Sequence, residues 1–266
     1  MSSSTLSRPD WSDPDGFATP PTRPSWARLT VVEMRKMIDT RAGFWLLVSI
    51  VLISLAAVII QLIWGDADAR TLSGYFTLSL YPVGVLLPVL GILTVTSEWS
   101  QRTALITFTL VPERHRIVIA KLAAASIFAA LSLVVSLLFS VLGNALGILL
   151  RDSGGSWSLP AANLGQALVF QVLGVLMGVG FGMLLMNTPL AIVLYFMLPT
   201  VWQILTSLIT AIQDVAGWLD LNVTMEPLSR GDVHGEGWAK VATSVLVWTV
   251  IPLILGTLRL LRREVK

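Results

Sequence analysis

The chain has 266 residues, of which 55% are hydrophobic and only 13% are charged. A soluble domain carries about 25% charged residues, so this composition excludes an ordinary soluble protein and predicts an integral membrane protein. The absence of cysteine excludes disulfides, thiolate metal sites and cysteine nucleophiles. The formal net charge of +2 conceals an uneven distribution of Lys and Arg along the chain.

Two segments precede the first long apolar stretch. Residues 1–24 are rich in Pro, Ser, Thr and Asp, and this composition predicts a disordered cytoplasmic tail because it cannot bury a core. Residues 25–42 predict a short amphipathic helix that lies in the membrane interface. Its residues divide between an apolar side, which includes Trp26, Met34 and Met37, and a charged side, which includes Arg35 and Lys36.

Six apolar stretches follow, each long enough for the roughly 20 residues that a helix needs to cross a bilayer. They are residues 44–63, 75–97, 117–150, 165–186, 189–213 and 239–258. Their only charges are Lys121 and Lys240, which lie near enough to a stretch end for the ammonium to reach the headgroups. We therefore predict an all-α, polytopic membrane protein whose transmembrane domain, residues 25–266, has six transmembrane helices.

The distribution of positive residues predicts the orientation. With both termini on one side, that side holds 14 Lys and Arg residues and the opposite side holds four. Because positive residues are retained in the cytoplasm, we expect a multi-pass cell-membrane protein with both termini cytoplasmic. Tryptophans near the predicted helix ends favour an interfacial aromatic belt. They are Trp45, Trp64, Trp99, Trp157, Trp218, Trp238 and Trp248.

The sequence lacks the motifs of the commonest catalytic sites. No lysine follows a glycine, so there is no phosphate-binding loop, and no serine lies in a nucleophile elbow. No Asp or Glu lies within an apolar stretch, which disfavours proton- or sodium-coupled transport. We therefore predict a protein that is not itself an enzyme and that holds no metal or cofactor.

Small and amide side chains within the apolar stretches leave two interpretations open. The amides either form hydrogen bonds between helices or line a substrate path. They include Asn144, Gln166, Gln171 and Gln203. Gly174, Gly178 and Gly182 are spaced by four residues, which predicts close helix packing either within one subunit or between subunits.

The connection between the second and third stretches carries the most specific pattern. Glu98 ends the second stretch, where a carboxylate requires a cationic or helix-terminal partner. The following segment is too apolar for a flexible loop, and it ends at a proline before a basic helix start. The residues that form this pattern are Glu98, Arg102, Thr103, Leu105, Phe108, Leu110, Pro112, Arg116 and Lys121.

This pattern resembles the permease subunits of type-2 ABC exporters, which move drugs, glycolipids, polysaccharides and peptides outward. The family's usual Gly-Thr step is Arg102-Thr103 here. The resemblance implies that the connection forms a coupling helix on a separate ATP-binding subunit, which holds ATP and Mg. It also implies two such subunits, a second permease copy in a homo- or heterodimer, and re-entrant helices in segment 214–238. An exposed loop is the alternative for that segment.

The expected function is therefore a permease subunit that forms the substrate pathway of an ATP-driven exporter. We expect contact with membrane lipids and none with nucleic acid. Two alternatives remain open: a passive membrane immunity or assembly factor, and a secondary carrier without an ATPase partner.

Overall fold

The computed structural model describes residues 24–101, 113–151, 155–209 and 212–262. Six of its helices are long and apolar enough to cross a membrane, which confirms the predicted all-α, six-helix architecture. The helices in chain order are α1 (Trp26–Asp39), α2 (Arg41–Trp64), α3 (Leu72–Ser100), α4 (Arg114–Arg151), α5 (Ala161–Leu185), α6 (Thr188–Leu208), α7 (Gln213–Leu219), α8 (Leu221–Arg230), α9 (Gly237–Val245) and α10 (Ile251–Arg262). One π-helical turn, Leu246–Val250, joins α9 to α10, so these form a single long helix.

Polar side chains set where the long helices begin. Thr40 and Thr71 accept hydrogen bonds of 3.1 Å from the backbone N–H groups three residues later, which caps α2 and α3. Asn187 caps α6 in the same way, with a 3.0 Å bond. Met186, at φ 52°, is the only residue between α5 and this cap, so the turn between α5 and α6 is as tight as its sequence predicts. The fifth predicted stretch is too long at its end, because α6 stops at Leu208.

Helices α3 and α5 form the centre of the bundle. Within their most apolar windows, 56% of α3 and 50% of α5 is buried, against 11% of α6. A Cβ added at Gly178 would lie 2.2 Å from the Pro88 carbonyl oxygen, so the two backbones touch where a side chain would keep them apart. Gly182 faces the backbone of Ile92 similarly. The glycine face therefore packs within the chain. This favours close packing within one subunit over packing between subunits.

Successive long helices run in opposite directions, so the bundle has two distinct ends. The α1 end holds α1, the last turn of α3 and the first turn of α4. The end of α10 lies there too, since Arg114 donates a 3.2 Å hydrogen bond to the Leu261 carbonyl oxygen. The α8 end holds the C-terminus of α8 and the first turn of α5, joined by a 3.1 Å bond from Asn163 to the Arg230 carbonyl oxygen.

Candidate functional site: an ionic cluster and a cavity

Four charged side chains meet where α1 crosses the ends of α3 and α4. Lys121 Nζ lies 2.6 Å from Glu33 Oε2 and 3.0 Å from Glu98 Oε1. Lys36 Nζ lies 2.7 Å from Glu33 Oε1 and 2.8 Å from Glu98 Oε1. Each ammonium therefore contacts both carboxylates, and we call these four residues the ionic cluster.

The ionic cluster is neutral and largely removed from solvent. The side chains of Lys121, Glu33 and Glu98 are 2%, 5% and 9% exposed. Lys36 is the outermost member, at 36% exposed. A charge buried without a partner costs several kcal/mol, so each ion depends on the others to stay buried. Lys121 also donates a 2.9 Å hydrogen bond to the Thr94 carbonyl oxygen, which adds backbone of α3 to the site.

The local sequence around α1 positions its half of the cluster. Glu33 and Lys36 are three residues apart, so they lie on the same face of the helix. Thr40 has extended backbone at φ −77° and ψ 137°, which ends α1 and sets its angle to α2. Gly43 permits this corner, because a Cβ there would lie 2.0 Å from the Met37 carbonyl oxygen.

The electrostatics of the cluster favour a charged Lys36. Burial by itself lowers the pKa of the Lys36 ammonium, because the neutral form is easier to desolvate. The attraction of Glu33 and Glu98, together with their hydrogen bonds, outweighs burial and raises that pKa above its ordinary value. Lys36 therefore remains protonated at every physiological pH.

The cluster confirms one expectation from the sequence and corrects another. Glu98 has the cationic partners that a carboxylate at a helix end requires. Lys121 does not extend towards the headgroups. It is buried between helices, because its ammonium pairs there with the carboxylates of Glu33 and Glu98. Lys36, on the predicted charged side of α1, contacts Glu98 of α3.

Arg116 makes a second connection between α1 and α4. Its Nη2 donates a 2.6 Å hydrogen bond to the Pro24 carbonyl oxygen, and its guanidinium lies 4.7 Å from the centre of the Trp26 ring. Its Nε is 3.7 Å from a carboxylate oxygen of Glu113. The start of α1 is thus tied to the start of α4, one helix turn before Lys121 joins the ionic cluster.

The other residues predicted for the interfacial helix differ in how far they are buried. Met37 is buried in the main hydrophobic core and Met34 packs against that core, whereas Trp26 and Arg35 are exposed. The central part of the predicted coupling segment lies outside the described residues. It comprises Arg102, Thr103, Leu105, Phe108, Leu110 and Pro112.

The four amides predicted as pathway or packing residues have four different environments. Gln166 holds the loop after α8, through bonds of 3.2 and 2.9 Å with the carbonyl and N–H of Val233. Gln171 donates a 3.4 Å hydrogen bond to a backbone carbonyl of α3. Asn144 is fully buried and has no hydrogen-bond partner within the described part of the chain. Gln203 is exposed on α6.

The segment before the last long helix folds back against the bundle. Trp248 Nε1 donates a 2.7 Å hydrogen bond to the Leu219 carbonyl oxygen, at the turn between α7 and α8. Trp248 lies 11 residues after the start of α9, about 16 Å along the helix at 1.5 Å per residue. The turn therefore lies well down the bundle, and Trp248 is not at a helix end as the aromatic-belt interpretation expects. Asp220 caps α8 there, accepting a 2.8 Å bond from the Asn222 N–H.

A cavity of about 370 Å³ lies between α3, α5, α6, α8 and the π-helical turn. A π-helical turn inside an α-helix often marks a functional site. Sequence reasoning missed the contribution of α8, although residues 222, 225, 226 and 229 recur at helical spacing. Side chains from each of these elements line the cavity, among them Tyr81, Phe170, Gln171, Tyr195, Glu226 and Thr249.

No protein-family model and no curated protein matches this sequence.

Proposed function

We propose that the chain is the transmembrane permease subunit of an ATP-driven ABC exporter, working as a dimer of permeases with two ATP-binding subunits. The observation that carries this proposal is the position of the ionic cluster. Glu98 lies four residues before the segment 102–112, whose sequence resembles the coupling segment of those permeases, and Arg116 lies four residues after it. Both flanks of the segment are anchored to α1, by the ionic cluster on one side and by Pro24 and Trp26 on the other.

This arrangement supplies a mechanical link for energy coupling. A displacement of residues 102–112 by an ATP-binding partner would move the end of α3 and the start of α4. Lys121 joins the start of α4 to Glu33, and Lys36 joins α1 to Glu98 at the end of α3, so α1 would move with these ends as one unit. Exposed apolar residues on α1, such as Trp26, Val31 and Ile38, would rest in the membrane interface during this motion.

The proposed orientation places the α1 end in the cytoplasm. The cysteine-free chain allows a clean test with single cysteines and an impermeant thiol reagent in intact cells. Asp68→Cys and Ser156→Cys should be labelled, whereas Thr107→Cys and Glu264→Cys should be labelled only after the membrane is opened. Labelling of Thr107→Cys in sealed cells would invert the orientation and remove the coupling segment from any ATP-binding partner.

The coupling role is tested by co-purification and by ATP hydrolysis in the reconstituted complex. Leu105→Ala with Phe108→Ala should weaken assembly with the ATP-binding subunit, because truncating buried apolar contacts at an interface costs on the order of 2–4 kcal/mol. Leu149→Ala with Leu150→Ala is the matched control, since both leucines are exposed at the far end of α4. Equal assembly by the two double variants would contradict the docking role.

Glu98→Gln tests the link rather than the docking. It should leave assembly intact but lower cargo-stimulated ATP hydrolysis, because it removes the charge that both lysines contact in α3.

The purified chain alone should hydrolyse no ATP. If no ATP-binding subunit co-purifies from native membranes, the passive immunity or assembly factor becomes the better interpretation. A secondary carrier is disfavoured because the buried carboxylates of Glu33 and Glu98 lie at the α1 end of the bundle and each contacts two ammonium groups.

A further inference from the structure

The cavity has the size and the mixed lining of a small-molecule site. Its volume of about 370 Å³ falls within the roughly 300–1,000 Å³ typical of ligand pockets. Phe170, Met177 and Tyr195 contribute apolar and aromatic surface to the lining. Asn222 and Glu226, on α8, contribute polar groups. This mixture of apolar and polar lining suits an amphipathic ligand.

Three polar side chains of the cavity each donate one hydrogen bond to another group of the protein. The Asn222 amide donates to the carboxylate that caps α8, and the Ser229 hydroxyl donates to the carbonyl oxygen of Glu226, at 2.7 Å. The Gln171 amide donates to a backbone carbonyl of α3. Each of the three side chains also carries an oxygen that can accept a hydrogen bond from a ligand.

Glu226 adds a negative charge to this set of acceptors. Its Oε1 contacts Arg230, one turn later on α8. Within the described residues no partner is recorded for Oε2, and the Glu226 side chain is 47% exposed. Arg230 also interacts electrostatically with Tyr81, another residue that lines the cavity, so this arginine is shared between two groups. One carboxylate oxygen is thus available at the cavity wall.

We propose that this cavity binds an amphipathic organic cation. Its amine head would donate hydrogen bonds to Glu226, Asn222 and Gln171. Its apolar body would lie against Phe170 and Tyr195, whose ring faces also attract cations. Naming this ligand as exported cargo rests on the proposed function, whereas the binding site itself does not.

Binding to the isolated chain tests the site without any ATP-binding subunit. The purified protein, in nanodiscs of phosphatidylcholine, is titrated with dansylcadaverine, a fluorescent amphiphile with a primary ammonium. The neutral N-pentyl dansylamide, which has the same body without the amine, is titrated in parallel. Saturable binding of one dansylcadaverine per chain is expected, about tenfold tighter than the neutral probe, which corresponds to 1.4 kcal/mol. A signal that rises linearly, as in empty nanodiscs, would overturn the proposal.

Two matched substitutions locate the binding. Glu226→Gln should weaken dansylcadaverine about tenfold and leave the neutral probe unchanged. Glu236→Gln is the control, because Glu236 pairs with Lys240 in the same i,i+4 arrangement but does not line the cavity. Equal affinity for dansylcadaverine in the two variants would contradict the proposed role of Glu226.

A third substitution tests the cavity rather than the charge. Gly174→Met should abolish saturable binding of both probes, because Gly174 lines the cavity and its Cβ would meet only the Pro88 ring, at 3.6 Å. Unchanged binding by a folded Gly174→Met variant would place the probe elsewhere. These results are independent of co-purification with an ATP-binding subunit, so this proposal and the proposed function can fail separately.

Discussion

Replacing Lys121 by methionine would leave the ionic cluster with one uncompensated charge. Methionine matches the length of the lysine chain and fills the same space. The buried carboxylates of Glu33 and Glu98 would then share the single ammonium of Lys36. Breaking a buried ion pair from one side costs about 3–5 kcal/mol. At about 2–4 °C per kcal/mol for a chain of this size, the thermal midpoint should fall by roughly 6–20 °C.

The control is the other lysine near an end of an apolar stretch. Lys240 lies 3.3 Å from Glu236, and the two side chains are 35% and 69% exposed. An exposed pair contributes about 0–1 kcal/mol, so Lys240→Met should leave the midpoint almost unchanged. The assay heats the protein in detergent. Fluorescence-detected size-exclusion chromatography then measures how much of the monodisperse peak remains.

A double variant separates lost charge balance from lost packing. Glu33→Gln added to Lys121→Met restores a neutral cluster of Lys36 and Glu98, so its midpoint should lie above that of Lys121→Met alone. The reasoning is refuted if Lys121→Met is no less stable than Lys240→Met. It is equally refuted if the double variant is less stable than either single variant.

Three further predictions concern other contacts. Gln166→Leu loses two hydrogen bonds to the loop after α8, so it should lower the free energy of unfolding by about 1–3 kcal/mol. Gln203→Leu, on the exposed face of α6, should leave the free energy of unfolding almost unchanged. Thermal midpoints measure both. Gly178→Ala should destabilise by about 1–3 kcal/mol because it pushes α5 against the backbone of α3, while Gly165→Ala, with open space at its Cβ, should be neutral or stabilising. Because the folded pKa of Lys36 is raised, its stabilising contribution should be constant through neutral pH and disappear only as pH rises above its ordinary value of 10.5. The difference between the unfolding midpoints of the wild type and Lys36→Met should therefore be constant from pH 7 to 10 and begin to shrink only above pH 10.5.

The six long helices could be identified from the sequence because their cause is local. A backbone in hydrocarbon must satisfy its own hydrogen bonds, so about 20 consecutive apolar residues are sufficient to specify a helix. The helix starts are local too, since Thr40, Thr71 and Asn187 each cap a helix within three residues. The requirement of Glu98 for a cationic partner also follows from its own position at the end of an apolar stretch.

Which partners each side chain meets was decided by the tertiary structure alone. Lys121 and Glu33 are 88 residues apart, and they meet only because α1 folds across the ends of α3 and α4. The helical spacing of Asn222, Glu226 and Ser229 is visible in the sequence, but the cavity they face requires α3, α5 and α6 beside them. Hydropathy depends on the residues of one segment, whereas ion pairs and cavities depend on how neighbouring helices are rotated and how closely they approach. Side-chain packing between helices sets this rotation and approach. The clearest example is Gly178, whose lack of a side chain lets α5 touch the backbone of α3.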